Sequence, residues 1–277
     1  MAKSARYAIG IDIGGTGIKG GVVDCKKGKL LGKRCKEATP PGAAIADVRA
    51  AVLTLLERIR AQELDTKVPA LDTLPIGICM PAVIRHGRSM SAANIAPDWV
   101  GFDARSMFVE ALGTPVSLVN DADAAGVAEV KFGNADAAQG SVLVLTLGTG
   151  IGSALVYRGD LFPNTELGHM ELDGHTDYER YASAKVRERE GIDDATWCAR
   201  LSPYFRKLEA LFSPDVFVIS GGISKRATEF IPLIDVDTPI VPAKLKNNAG
   251  IIGAALLGAS GWELSLIHIS EPTRPRL

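Results

Sequence analysis

Cysteine is scarce in this sequence of 277 residues, and its four cysteines are scattered. No two of them have the C-x-x-C spacing of zinc or redox motifs, so the sequence predicts neither a disulfide framework nor a zinc site. Unpaired thiols are typical of proteins in a reducing compartment, which predicts a cytoplasmic location. The four residues are Cys25, Cys35, Cys79 and Cys198.

Two further features are missing, an excess of one charge and a long hydrophobic run. The formal net charge is -1, whereas proteins dedicated to nucleic acid carry a basic excess, so no nucleic-acid partner is expected. The most apolar stretch, 141–156, is interrupted by glycines and is too short to cross a bilayer. No hydrophobic signal segment is visible, so we expect no membrane association.

The last residues lack helical periodicity. After Gly261 the sequence reads WELSLIHISEPTRPRL, whereas 250–259, GIIGAALLGA, resembles a closing helix. We interpret 265–277 as a tail derived from cloning or read-through and leave it out of the fold prediction.

Glycine, by contrast, is dense at 10–21, GIDIGGTGIKGG. Part of this stretch matches G-x-G-x-x-G, but a dinucleotide site needs the motif to open a helix. Here the strand-like GGVVDCKKGKLLGKRC follows. The stretch therefore predicts a β-hairpin whose turn amides face a phosphate, with the Thr16 hydroxyl and the Lys19 ammonium as further contacts. The alternative is a plain hairpin turn.

Two similar turns follow later, TLGTGIG and SGGIS. The sequence contains the same pattern twice, a hairpin of two strands around a glycine turn followed by helix–strand units. This repetition predicts two similar α/β halves with a cleft between them. We place the first lobe at 1–120 plus 250–262 and the second at 121–249. Apolar periodicity predicts helices at 43–61, 102–112, 121–132, 193–212 and 250–259. Strands are predicted at 6–13, 21–23, 29–35, 74–79, 116–119, 141–147, 152–157 and 216–219.

Asp121 follows a predicted strand and opens a predicted helix, a position where α/β proteins bind ligands. A carboxylate there can act as a general base that takes a proton from a bound ligand. It can also simply cap the helix, and the pattern alone leaves both roles open.

Glu166 and His169, in ELGH, have the spacing of half a metal site. A carboxylate and an imidazole equally suit the hydroxyls of a sugar, because the first accepts hydrogen bonds and the second can donate or accept. Asp12 ends the first predicted strand, where it can help to hold Mg²⁺ or cap a turn.

Five motifs in a fixed order over about 7–258 resemble the ROK family of sugar kinases and repressors: IDIGGTGIKGGVVD, NDADAAGVAE, LTLGTGIGSALV, ELGH and ISGGIS. The resemblance implies an α/β fold of the two-lobed, actin-like (ribonuclease H-like) type, with Asp121 as catalytic base. It implies that Asp12 helps to hold Mg²⁺, through water. The implied sugar contacts are Asn94, Asn120, Glu166, His169 and Glu179. The implied phosphate contacts are Gly14, Gly15, Thr16, Gly17, Lys19, Thr146, Gly148, Thr149, Gly150, Gly221 and Gly222.

The sequence departs from this family at several points. Many members carry a C-x-C-G-x-x-G-C-x-E zinc segment after GH, where this chain reads GHMELDGHTDYERYAS, so no zinc is expected. The usual N-D-A-N-A reads NDADA, which makes Asp123 a feature of a subgroup. MPA at 80–82 replaces the usual P-G.

GGTGIKG, NDADAAG and AANI most closely resemble the members that use polyphosphate. We therefore expect phosphoryl transfer to the 6-hydroxyl of glucose from inorganic polyphosphate or ATP, with mannose as a further acceptor. The alternatives are a strictly ATP-dependent kinase for glucose or N-acetylmannosamine, and a non-catalytic sugar-responsive regulator. The expected partners are glucose, ATP and polyphosphate, and a homodimer is left open.

A polyphosphate chain offers neither base nor ribose, so its binding needs cations. Lys19 is one candidate, and Lys185, Arg187 and Arg189 in the basic run KVRERE are others. The alternative for that run is a solvated helix face with ion pairs between neighbouring turns.

Overall fold

The computed structural model describes residues 4–65, 67–93, 95–133 and 139–262. The chain divides into two compact units, one running to Val119 and resuming at Ala254, the other comprising Asn120–Gly253. Each unit is built on a five-stranded sheet. Asn94 and the tail assigned to 265–277 lie outside the described residues.

The first sheet has the order β3-β2-β1-β4-β7. Its strands are β1 (Tyr7–Gly14), β2 (Gly17–Asp24), β3 (Lys29–Ala38), β4 (Ile76–Met80) and β7 (Val116–Asn120). Only Gly15 and Thr16 separate β1 from its antiparallel partner β2, so the predicted hairpin is confirmed and no helix follows the glycine motif. β4 then pairs parallel to β1. A small ribbon of β5 (Ile84–Arg85) and β6 (Arg88–Ser89) completes the strands of this unit.

The described residues of the first part of this unit include the helices α1 (Ile45–Arg60) and α2 (Ala104–Leu112). The apolar residues that predicted α1 are buried at helical spacing, as Val48, Val52, Leu55, Leu56 and Ile59. They belong to the same buried cluster as the isoleucines of β1 and β4, so burial of this stripe fixes the helix in place.

The second sheet, β10-β9-β8-β11-β12, repeats the layout of the first. Its strands are β8 (Ser141–Leu147), β9 (Ile151–Tyr157), β10 (Asp160–Phe162), β11 (Val216–Ser220) and β12 (Ile240–Pro242). β8, β9 and β10 form an antiparallel meander, and β11 and β12 continue from β8 in parallel. The predicted repetition of the α/β pattern is confirmed.

Six helices remain: α3 (Asp121–Ala128), α4 (Glu179–Ala182), α5 (Ala184–Glu190), α6 (Asp194–Phe212), α7 (Ala227–Phe230) and α8 (Ala249–Ser260). The predicted helix 121–132 is shorter than expected, because its last part, Glu129–Gly133, is a π-helical turn. Buried aromatic side chains of α6, led by Trp197, Tyr204 and Phe205, pack with Phe217 of β11 and form the core on one side of the second sheet. None of the described helices combines the length and the apolar character needed to cross a bilayer.

Candidate active site

The first turn of α3 carries the candidate base. Asn120, not Asp121, is the N-cap, and its side-chain oxygen accepts hydrogen bonds from the backbone N–H groups of Ala122 (2.8 Å) and Asp123 (3.1 Å). Asp121 is the first helical residue and is partly exposed at the carboxyl end of β7. Of its two predicted roles, base and cap, Asn120 takes the second.

A buried carboxyl group two residues further ties α3 to a neighbouring loop. Asp123 has no exposed surface, and its Oδ2 accepts the backbone N–H of Asn164 at 2.7 Å. The same loop is held from β9, where the Ser153 hydroxyl donates to the carbonyl oxygen of Thr165 at 2.5 Å and accepts the N–H of Leu167 at 3.0 Å. These bonds fix Glu166 beside the first turn of α3.

Glu166, His169 and Glu179, three of the sugar contacts that the family resemblance implies, lie close to one another. Nε2 of His169 lies 3.6 Å from a carboxylate oxygen of Glu166, and Nδ1 lies 3.9 Å from one of Glu179. Glu179 begins α4, and its Oε2 accepts the backbone N–H of Ile151 at 2.9 Å. Gly150 allows this approach, since a Cβ at that position would overlap the Glu179 carboxylate. The glycine turn therefore also makes room for an acidic side chain.

Asp177 joins this group, although the sequence analysis did not single it out. Its Oδ1 lies 3.1 Å from Nδ1 of His169, and its Oδ2 pairs with Nε of Arg180 at 2.9 Å. This contact directs Nδ1 of the imidazole toward Asp177 and leaves Nε2 on the side of Glu166. The only hint in the sequence is a second acidic residue just before Glu179, in TDYE.

The charges of this group act on one another. Partial burial lowers the pKa of His169, but the hydrogen bond that the ring donates to Asp177 and the charges of Glu179, Asp177 and Glu166 outweigh it and raise the pKa. Burial raises the pKa of Glu166, and the charge of His169 offsets part of this increase. The group can thus present carboxylate acceptors and an imidazole donor to a polyhydroxyl ligand.

One oxygen of Asp123, Oδ1, is buried without a hydrogen-bond partner. Burial raises the pKa of Asp123 to about 7. The hydrogen bond from the Asn164 N–H lowers this pKa in part, and the negative charges of Glu166 and Asp121 raise it further. The folded protein therefore keeps a proton here that the unfolded chain releases near its ordinary value of 3.8. Between these two pH values the unfolded state binds fewer protons, so stability falls as the pH rises and then levels off above about 7.

We expect Asp123→Asn to remove this pH-dependent loss of stability. Asparagine keeps the acceptor for the Asn164 N–H and carries no charge to bury. The melting temperature of the variant minus that of the wild type should be more positive at pH 8 than at pH 5. Asp98→Asn, at an exposed aspartate, is the matched control and should show no such trend. A difference for Asp123→Asn that is the same at both pH values would contradict the account.

The candidate phosphate turns of the second unit follow β8 and β11. Thr146 lies near the end of β8, beside Ser220 of β11. Gly148 and Thr149 are exposed in the first turn, and Gly221 and Gly222 in the second. The N–H of Gly148 donates to the carbonyl oxygen of Gly150 at 3.0 Å, and the Ile151 N–H goes to Glu179. One turn amide expected at phosphate, that of Gly148, thus has a partner inside the protein, as does the amide of Ile151 just after the turn.

In the first unit, the hairpin turn exposes Gly15 and Thr16, and the Thr39 hydroxyl donates to the carbonyl oxygen of Gly14 at 2.5 Å. Asp12 on β1 lies in register with Lys19 of β2 and Cys79 of β4. The Cys79 thiol donates a weak bond of 3.7 Å to its Oδ1.

Burial raises the pKa of Asp12, and Lys19, Cys79 and Arg34 offset this only in part. The neighbouring cations only partly balance the Asp12 carboxylate, and a carboxylate oxygen is a hard ligand that suits Mg²⁺. This ion binds one or two carboxylates together with water and phosphate oxygens.

A second possible metal group lies in the second unit. His169, Asp177 and Glu179 each offer a ligand atom within 4.8 Å of the others. All three side chains also have protein partners. Asp177 pairs with both Arg180 and His169, and the Glu179 carboxylate accepts the Ile151 N–H. Each of the three candidate ligand side chains therefore also takes part in a bond within the protein.

Comparisons with known proteins find similar chains. The chain matches the model of the ROK family over residues 8–199. The polyphosphate glucokinase of Mycobacterium tuberculosis (strain CDC 1551 / Oshkosh) is 40% identical over 256 residues, 92% of each chain. The crystal structure of an inorganic polyphosphate/ATP-glucomannokinase from Arthrobacter sp. strain KM matches with a TM-score of 0.85 and 49% identity. That match covers 92% of this chain and 99% of the other.

A ROK family glucokinase from Streptomyces griseus, solved with glucose and AMPPNP, matches with a TM-score of 0.71 and 24% identity, over 92% of this chain and all of that one (100%). At 24% identity, this similarity supports an inference about the fold alone. The predicted fold class, the two-lobed actin-like ATPase fold, is confirmed.

Proposed function

Because the chain belongs to the ROK family, we propose that it transfers a phosphoryl group from inorganic polyphosphate or ATP to the 6-hydroxyl of glucose. The observation that carries the proposal is the link between the candidate base and the candidate sugar group. Asp121 opens α3, and Asp123 in the same turn is hydrogen-bonded to the loop that presents Glu166.

Asp121 serves as the general base. As the 6-hydroxyl oxygen of glucose attacks the terminal phosphorus, its proton passes to the Asp121 carboxylate. The bond between that phosphorus and the bridging oxygen of the donor breaks, which leaves ADP or a polyphosphate shorter by one unit. Capping of α3 by Asn120 keeps the carboxylate at the helix start without using it as the cap.

Glu166, His169 and Glu179 bind the sugar hydroxyls. The carboxylates accept hydrogen bonds, and Nε2 of His169 faces the Glu166 side while Nδ1 is held by Asp177. Asp177 therefore orients the imidazole for the sugar. Asn94 and Asn120 remain further candidates for sugar contacts, and mannose is included among the acceptors.

Mg²⁺ is the proposed metal, with Asp12 as the residue that holds it, through water. When bound, the ion neutralises charge on the phosphoryl oxygens. The exposed turns at 15–16, 148–150 and 221–222 bind the phosphates of the donor, with the Lys19 ammonium as a further contact.

A cytoplasmic location is part of the proposal because all four cysteines are free thiols. The homodimer stays a prediction, which the molar mass in solution tests.

The rival hypotheses share this site and differ in the donor or in catalysis. A strictly ATP-dependent hexokinase would form product from ATP alone, and a sugar-responsive regulator would form none. The test supplies purified protein, glucose and Mg²⁺ with polyphosphate and ATP in separate reactions, and follows glucose 6-phosphate. Product from both donors is expected, and N-acetylmannosamine in place of glucose tests the acceptor.

A further inference from the structure

Three strands of the second sheet end at the same edge. β8, β11 and β12 run parallel, with Ser220 paired to Thr146 and Ile219 to Pro242, so the segments that follow them emerge side by side. Gly221 has φ of +91°, and a Cβ there would lie 2.6 Å from the carbonyl oxygen of Leu147. The two glycine turns are therefore in direct contact and form one exposed surface.

Three lysines flank this surface. The backbone N–H of Lys185 donates to the carbonyl oxygen of Gly148 at 3.0 Å, which places the start of α5 against the first turn. Lys225 lies in the helical turn 222–226 that begins with Gly222, and Lys246 lies in the turn 246–248 that packs against it. All three side chains are exposed. Within the described part of the chain, none of the three forms an ion pair.

The neighbouring arginines are different, which corrects part of the sequence expectation. Arg187 pairs with Asp194 at 2.7 Å and Arg189 with Glu190 at 3.1 Å, as in the solvated helix face that was the alternative for KVRERE. Arg226 also pairs with Asp194, at 2.8 Å. Their charges are neutralised within the protein, so Lys185 is the one cation of the basic run that is left for an anionic ligand.

We propose that Lys185, Lys225 and Lys246 form a subsite for the internal phosphates of linear polyphosphate. This inference rests on the proposed function and names the surface along which the longer donor runs. An ammonium group is a point charge on a flexible stem, which suits a chain of identical phosphates better than one fixed geometry. ATP has three phosphates and a nucleoside, so it depends less on such a row of charges.

The test compares the triple variant Lys185→Gln, Lys225→Gln, Lys246→Gln with the wild type. A matched control, Lys26→Gln, Lys27→Gln, Lys207→Gln, removes the same charge from exposed lysines elsewhere. The KM values for long-chain polyphosphate and for ATP are measured at saturating glucose, from roughly 50 to 300 mM salt.

The subsite variant should raise the polyphosphate KM about tenfold or more at low salt, because three exposed charge pairs are lost. The ATP KM should change much less. The slope of log KM for polyphosphate against log salt should become shallower by about 2 to 3, since each paired phosphate contributes a little under one unit.

Three results would overturn the subsite. These are KM values of the subsite variant that match those of the control, an equal rise in the KM values for polyphosphate and ATP, and an unchanged salt slope. A wild-type protein that makes product from ATP but not from polyphosphate would instead contradict the donor assignment in the proposed function, and the subsite with it.

Discussion

Asp121→Asn should lower kcat for phosphoryl transfer to glucose by at least about a hundredfold, the usual scale for loss of a general base. Asparagine keeps the size of the side chain, and its oxygen can still accept the Ala122 N–H that Asp121 Oδ1 accepts at 2.9 Å. What it loses is the capacity to take a proton. The KM for glucose should change little, because the proposed sugar contacts Glu166, His169 and Glu179 are left in place.

The variant should fold normally, and the structure gives the reason. The cap of α3 is Asn120, whose side-chain oxygen accepts two backbone N–H groups independently of Asp121. Asp123→Asn is the matched control, since it neutralises a carboxyl group in the same helical turn and leaves the base in place. Near-normal turnover by Asp121→Asn would show that another group takes the proton.

Removal of Mg²⁺ should abolish transfer from both donors, whereas a zinc-selective chelator should leave activity and folding intact. Phosphoryl oxygens carry charge that the protein side chains neutralise only in part, so the divalent ion is needed in the transition state. Asp12→Asn should raise the Mg²⁺ concentration that gives half-maximal rate, because it removes the carboxylate proposed to hold the ion.

The prediction about zinc depends on the contacts of His169, Asp177 and Glu179. Arg180 and the Ile151 N–H occupy the carboxylates, and His169 and Asp177 bond to each other. Elemental analysis of the purified protein tests the point. One equivalent of tightly bound zinc would show that these three residues form a metal site, and that the cysteine-free loop was misinterpreted.

Local patterns were sufficient for the hairpin and for the longer helices. β1 and β2 flank a two-residue turn, and the apolar stripe of α1 has helical spacing, so both follow from neighbouring residues. The roles of Glu166 and Glu179 came from the family resemblance. Glu166 and Glu179 are 13 positions apart, and the loop and short turns between them have no periodicity that would predict their contact.

Long-range partners could not be predicted from the sequence. Asp123 was recognised as unusual, but its bond to Asn164 spans 41 positions and appears only once β9 lies against α3. The sequence leaves open whether Arg187 is a free cation or ion-paired, because its partner, Asp194, opens the next long helix. Asp177 was missed for the same reason, since its contact with His169 depends on how the loop between them folds.

The most direct test of the central claim uses polyphosphate as the sole phosphoryl donor. Purified protein, glucose and Mg²⁺ are incubated with nucleotide-free long-chain polyphosphate, and glucose 6-phosphate is quantified, with ATP in a parallel reaction. We expect product from both donors, and a rate at least about a hundredfold lower with Asp121→Asn. Product from ATP alone would identify an ATP-dependent hexokinase, and absence of product from either donor would contradict the assignment of this chain as a glucose kinase.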